Sequence, residues 1–68
     1  MALEVRFQVR DASGVTVAET REQQDAAIIA QRWGLYSTVL ELKPVRGWEV
    51  ILRNAGAGQL VTPAAVQE

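Results

Sequence analysis

Cysteine and histidine are both missing from this sequence of 68 residues. Without cysteine no disulfide can form, and without either residue the common zinc, iron and copper sites lose their usual ligands. The same absences remove the Ser-His and Cys-His arrangements of nucleophilic catalysis. We therefore expect a chain that is not an enzyme and that holds no metal or cofactor.

Charge of one sign is also lacking, since seven basic residues stand against eight acidic ones. A nucleic-acid-binding domain normally has a basic excess, and an acidic mimic of DNA needs a much larger negative one. No apolar run approaches the roughly 18–20 residues of a membrane span, and the N-terminus lacks the pattern of a secretory signal. We expect a cytoplasmic protein with no membrane partner.

The length predicts a single small α+β domain over residues 1–68. A chain of this size buries only about 60% of its unfolded surface. Small scaffolds are usually supported by disulfides, metals or oligomerisation, and only oligomerisation is open to this composition. A homodimer is therefore expected.

The clearest element is a helix over about residues 21–33. Thr20 is the predicted N-cap, Gln23 completes a capping box, and Gly34 suits the left-handed position that ends many helices. At 100° per residue one stripe is apolar and mostly small, which suits packing on a sheet: it contains Ala26, Ala27, Ile29, Ala30 and Trp33. Ile28 lies on the opposite, charged face, either as a singly exposed apolar residue or as a partner contact.

A first hairpin is predicted before this helix. Leu3–Arg10 alternates apolar and polar residues, as a half-buried strand does, with Phe7 and Val9 on the inner side. Residues 11–14 form the turn, where Gly14 can take a positive φ. Residues 15–19 return as a short strand with Val15 and Val17 inward.

A second hairpin is predicted after the helix, with strands over 36–43 and 48–53 and a turn over 44–47. The alternation assigns the larger apolar residues to the inner face: Tyr36, Leu40, Leu42, Trp48, Val50 and Leu52. The outer face then carries Val39, Glu41, Lys43, Glu49, Ile51 and Arg53. Both tryptophans are assigned to packing.

The C-terminal part begins with a flexible Ala/Gly loop over 54–58. Residues 59–61 suit a short fifth strand, and Thr62-Pro63 suits the start of one helical turn, with a frayed end over 63–68 as the alternative. The predicted fold is a two-layer ββαββ domain in which antiparallel hairpins form a sheet covered on one face by the helix. The sequence does not specify the strand order.

Two patterns resemble catalytic or ligand sites but are better explained otherwise. Glu41 and Glu49 can face each other across the second hairpin, where nearby Lys43 and Arg53 would make them solvated ion pairs. Gly56-Ala57-Gly58 lacks the lysine and hydroxyl residue of a phosphate-binding loop, so it is a connector. No small-molecule ligand is predicted.

Protein binding fits the remaining surface best. Val39 and Ile51 are predicted on the outer sheet face among charges, an arrangement like a small interface with a polar rim. The candidate protein-binding residues are Val39, Ile51, Ile28, Glu41 and Arg53. Sheet edges offer strand addition as a second mode. Alternatively, Val39 and Ile51 serve β-propensity or lie beneath the C-terminal segment.

Nucleic-acid binding is the alternative function. It would use basic residues of the outer face to touch phosphates: Arg6, Arg10, Lys43, Arg46 and Arg53. Acidic residues share that face, and no aromatic residue is predicted there to stack on a base.

By size and architecture alone the chain resembles small accessory proteins of bacteria and phages, although fold does not define function. We expect a non-enzymatic protein-interaction module, a small regulator or inhibitor that binds a partner protein's surface. The alternatives are a weak nucleic-acid-binding module and a homo-oligomeric structural subunit.

Overall fold

The computed structural model describes residues 5–63. In chain order its elements are β1 (Phe7–Arg10), β2 (Thr16–Thr20), α1 (Gln23–Trp33), β3 (Thr38–Lys43), β4 (Gly47–Asn54) and β5 (Leu60–Val61). All neighbouring strands are antiparallel, in the order β2-β1-β3-β4-β5. The helix packs on one side of this sheet, so the predicted α+β fold is confirmed, and the short fifth strand forms.

The two hairpins lie side by side because β1 pairs with β2 on one edge and with β3 on the other. α1 connects the hairpins and crosses the sheet between them, contacting every strand. One sheet face is thereby covered by the helix, and we call the opposite surface the open face.

The core lies between α1 and the sheet. Val9 and Val39 are directly opposite each other on β1 and β3, and both are fully buried. Ala26 and Ala30 of α1 are fully buried above them. Because alanine side chains are short, the helix backbone can lie close to the strands. The partly buried residues around this centre are Val17, Ala18, Ile29, Ile51, Leu52 and Leu60.

The predicted capping box is wrong. Thr20 is the last residue of β2, and its hydroxyl donates to the carbonyl oxygen of Glu22 at 2.9 Å instead of accepting from the helix. Glu22 is the N-cap and makes no side-chain capping bond. Pairing of β2 with β1 decides the conformation of Thr20, so the helix begins later than its local signal indicates. Gly34 ends the helix with φ +139° and ψ −179°, an extended conformation open to glycine rather than the left-handed helical one.

Asn54 belongs to β4 rather than to the loop that follows. It is 1% exposed, and its side chain is bonded on both sides. Nδ2 donates to the carbonyl oxygen of Ala30 at 2.8 Å, and Oδ1 accepts from the backbone N–H of Gly56, also at 2.8 Å. The next residues turn tightly, with a bond of 2.8 Å from the Ala55 N–H to the Gln59 carbonyl oxygen.

The predicted facing of the second hairpin is wrong for its apolar strand residues other than Leu52. Val39 faces the helix together with Val9, so the alternating positions Leu40 and Leu42 lie on the open face. The β3–β4 ladder contains a bulge, because Val39 pairs with Leu52 but Leu40 pairs with Val50. The bulge shifts the alternation by one residue. As a result Ile51 and Leu52 both pack towards the core, while Trp48 and Val50 lie on the open face.

Three other large residues expected inside are exposed. Trp33, Val15 and Tyr36 are 53%, 58% and 60% exposed, and the last two lie outside the strands. The predicted positive φ of Gly14 is confirmed at +91°. The start of the predicted first strand at residues 3–4 and all but the first residue of the predicted C-terminal turn lie outside the described residues.

Candidate functional site

The open face carries an apolar stripe on β3 and β4. The register places Leu40 opposite Val50 and Leu42 opposite Trp48. Since residues directly opposite in an antiparallel pair share a face, these four side chains form one group. We call this group, Leu40, Leu42, Trp48 and Val50, the open stripe.

The open stripe is buried at its centre and exposed around it. Leu40 is only 4% exposed although it lies outside the core cluster beneath α1. Leu42 and Val50 are 42% and 39% exposed, and Trp48 is partly exposed. When a partner covers a buried leucine and the partly exposed apolar side chains around it, further apolar surface is removed from water. Such an arrangement is typical of a binding surface.

A polar chain lies beside the open stripe, on β1 and β2. Gln8 pairs with Leu40 on one side and with Glu19 on the other. Its Nε2 donates to Oε2 of Glu19 at 2.9 Å, and its Oε1 accepts from Nη2 of Arg10 at 2.9 Å. Nε of Arg10 is buried and has no hydrogen-bond partner within residues 5–63. The open face thus has an apolar half and an ordered polar half.

The apolar half continues into a concavity of about 440 Å³ near the β3–β4 turn. Val5, Arg6, Leu42 and Pro44 line this concavity. Three of these four lining residues are aliphatic, and the fourth is the arginine. Leu42 belongs both to the concavity and to the open stripe, so the two form one continuous surface.

The predicted protein-binding residues are not brought together. Val39 is fully buried beneath α1, and Ile51 packs against the same core, so neither forms the exposed apolar centre that was expected. Ile28 is 40% exposed on the helix, away from the open face. Arg53 pairs with Thr38 and with Val61 in the sheet. Because Thr38 precedes the inward-facing Val39, Thr38 and its partner Arg53 lie on the open face. The residues that do form an apolar surface are an alternating set in the sequence, which alternation alone predicts to lie in the core.

Most of the predicted nucleic-acid-contacting cations are already paired. Glu41 forms ion pairs with Lys43, whose Nζ lies 3.2 Å from Oε1, and with Arg6, whose Nη2 lies 3.7 Å from Oε2. Glu49 Oε2 lies 2.9 Å from Nη1 of Arg46. As described above, Arg10 is bonded to Gln8. Of the five, only Arg53 has no ion pair or side-chain hydrogen bond within residues 5–63.

Glu41 and Glu49 are directly opposite each other in the β3–β4 ladder, as expected from the sequence. Like charges in that position repel, and the cations just described offset the repulsion on each carboxylate. Among the described residues no group of three or more potential metal ligands occurs. The arrangement is that of a surface ion-pair network.

Comparison with known proteins gives no relative from which a function could be taken. No family model matches the chain, and neither a curated protein nor a solved structure matches it. In the part of the chain that the structure describes, no helix is long and apolar enough to cross a membrane. The fold defines the chain as a small α+β domain.

Proposed function

We propose that this chain is a non-enzymatic protein-interaction module, a small regulator or inhibitor that covers part of a partner protein's surface with its open face. The observation that carries the proposal is the partly exposed open stripe beside the ordered Glu19–Gln8–Arg10 chain. Protein interfaces combine an apolar centre with a polar border, and tryptophan is enriched at their energetic centres.

The order of the polar border supports this proposal. Gln8 is nearly buried and is held by Glu19 and Arg10, so its side chain has already lost its rotamer freedom in the free chain. A surface ordered in advance loses less entropy on binding. The N–H group at Arg10 Nε, which has no acceptor among residues 5–63, can donate to a partner's carbonyl or carboxylate oxygen once the side chains covering it move.

Weak nucleic-acid binding remains the alternative function, with Arg53 as its available cation. A protein that contacts phosphates needs unpaired basic groups, and ion pairs with Glu41 and Glu49 reduce the number here. A homo-oligomeric subunit is the second alternative, since the open stripe of one copy could cover that of another. Both alternatives give distinct results in the experiment below.

The experiment is affinity capture from lysate of the native host, with and without nuclease, using the unmodified chain and two charge-introducing variants. Leu42→Glu places a carboxylate in the open stripe. Ile28→Glu is the matched control, because Ile28 is an apolar residue of nearly equal exposure (40% against 42%) on the helix. Far-ultraviolet circular dichroism checks that both variants fold.

We expect a discrete protein that survives nuclease, is lost with Leu42→Glu and is retained with Ile28→Glu. Capture that disappears with nuclease and weakens in Arg53→Ala would replace the proposal with nucleic-acid binding. Sedimentation of the purified chain tests self-association separately. A dimer that Leu42→Glu dissociates, with no captured protein, would favour the homo-oligomeric subunit.

A further inference from the structure

A second surface lies at the end of α1, apart from the open stripe. It is a shallow cleft of about 360 Å³ between the first turn of the chain and the connection from α1 to β3. Its lining residues are Asp11, Ala12, Ser13, Trp33, Gly34, Leu35 and Ser37. None of them belongs to the open stripe, so the cleft is a site separate from the surface proposed above.

Large apolar side chains are exposed at this cleft. Trp33 and Leu35 are 53% and 51% exposed. Packing either side chain against the protein would remove more apolar surface from water, which is favourable. Neighbouring Tyr36 is 60% exposed as well. Trp33 lines the cleft, and the π-face of an indole ring attracts both apolar groups and cations.

The connection holding these residues is strained. Gly34 and Tyr36 both have positive φ, at +139° and +70°. A bulky residue at positive φ is an outlier that persists only where surrounding contacts fix it. Here the fixing contact is the Tyr36 N–H, which donates to the Asn54 carbonyl oxygen at 2.9 Å. The connection is thereby fixed in a conformation that leaves Trp33 and Leu35 at the cleft.

The rim of the cleft carries a carboxylate with spare capacity. Oδ1 of Asp11 accepts from the Ser13 hydroxyl at 2.8 Å and from the backbone N–H groups of Ser13 and Val15 at 2.9 and 3.0 Å. Oδ2 makes no hydrogen bond or ion pair within residues 5–63. The turn therefore orients the carboxylate while one oxygen and the negative charge stay available.

Ser37 adds a second unused polar group. It is 1% exposed, lines the cleft, and its Oγ has no hydrogen-bond partner in the described part of the chain. A buried hydroxyl without a partner is unfavourable. A ligand that supplies an N–H donor after a small displacement of the cleft floor would offset that cost.

We propose that this cleft binds an arginine side chain of a partner protein. A guanidinium group combines the required properties: a planar face that stacks on the Trp33 indole, a positive charge for Asp11, and several N–H donors. Its methylene stem can pack on Leu35. Charge complementarity favours a cation here over a neutral or acidic group.

The test is a titration of the unmodified, isotope-labelled chain with acetyl-Gly-Arg-Gly-amide, followed by ¹H–¹⁵N NMR. The two tryptophan indole N–H signals make the experiment internally controlled. The Trp33 signal and the amides of residues 11–13 and 33–37 should shift together, while the Trp48 signal on the open face should not. The same peptide with citrulline in place of arginine keeps the shape and removes the charge, and it should shift these signals much less.

Two variants sharpen the result. Asp11→Asn keeps an oxygen acceptor for the turn but removes the charge, and it should weaken arginine binding by roughly three- to tenfold. Asp25→Asn, an exposed acid in the first turn of α1, should leave binding unchanged. Absence of a saturable shift at the cleft would overturn the proposal. So would equal shifts with the citrulline peptide, or equal affinity in the Asp11→Asn variant.

Discussion

The side-chain amide of Asn54, at the end of β4, donates to the carbonyl oxygen of Ala30 in the last turn of α1 at 2.8 Å. The last four carbonyl groups of a helix have no partner within it, so a buried helix end needs donors from elsewhere. Asn54 supplies one to Ala30 and a longer one, at 3.4 Å, to Gln31. One buried side chain therefore joins the helix, β4 and the following turn.

Asn54→Ala should lower the free energy of unfolding by about 1–3 kcal/mol, because it leaves the buried Ala30 carbonyl without its side-chain donor. Urea denaturation measures the change. Gln31→Ala is the control, since Gln31 donates to the Gly58 carbonyl oxygen at 3.1 Å on the surface. Its loss should cost less than about 0.5 kcal/mol. Similar losses of unfolding free energy in the two variants would show that the buried amide of Asn54 contributes no more to stability than a surface hydrogen bond.

The facing of β3 can be tested by comparing Val39→Ala with Leu42→Ala. Val39 is fully buried beneath α1, and its truncation should cost about 1–3 kcal/mol through lost contacts and a cavity. Leu42 is partly exposed on the open face, and its truncation should cost less than about 1 kcal/mol although more atoms are removed. Thermal or urea unfolding of both variants gives the comparison. The reverse order of costs would restore the facing predicted from the sequence.

The β3–β4 turn contains a residue that should be replaceable with a gain in stability. Val45 has φ +72° and is fully exposed, so a β-branched side chain occupies a disfavoured conformation without packing in return. Val45→Asn should raise the free energy of unfolding by about 0.5–1 kcal/mol, since asparagine tolerates positive φ.

The control for this turn is Val15→Asn, at another exposed valine whose φ is not positive. It should be close to neutral. If Val45→Asn destabilises the chain instead, the exposed valine makes a contact that the described residues do not show.

Asp11 predicts a defined dependence of stability on pH. Hydrogen bonds from the Ser13 side chain, and then from the Val15 backbone, lower the pKa of the Asp11 carboxyl in the folded chain. A lowered pKa contributes stability that is present above the unfolded value, about 3.9, and is lost as the pH falls through the folded value. The stability difference between the unmodified chain and Asp11→Asn should therefore shrink in acid. A difference that stays constant from neutral pH to well below pH 4 would contradict this assignment.

The first hairpin was predictable because its alternation is unambiguous. Phe7 and Val9 are apolar while Arg6, Gln8 and Arg10 are polar, so only one facing buries the apolar set, and the structure has it. The helix stripe was predictable for a similar reason, except at Trp33. Trp33 is the last residue of the helix and is 53% exposed, which helical periodicity alone does not reveal.

The second hairpin was not predictable from alternation. Val39 and Leu40 are adjacent apolar residues, and Val50, Ile51 and Leu52 are three in a row, so either facing buries an apolar set. The choice depends on pairing of β3 with β1, a contact between distant segments, and on a bulge. The same ambiguity affects the candidate site. Alternation predicts the residues of the open stripe to be core, and it predicts the buried Val39 and the partly buried Ile51 to be surface.

The strand order has a consequence for how fast the chain folds. Of the four ladders, three join strands that follow one another in sequence, whereas the ladder of β1 with β3 closes over the second strand and the helix. Pairing between distant segments requires the intervening loop to lose entropy before stabilising contacts form, so it tends to limit the folding rate. We expect Val9 and Val39, which meet in that ladder, to belong to the folding nucleus. Truncating them should slow refolding, whereas changes in β5 should mainly speed unfolding.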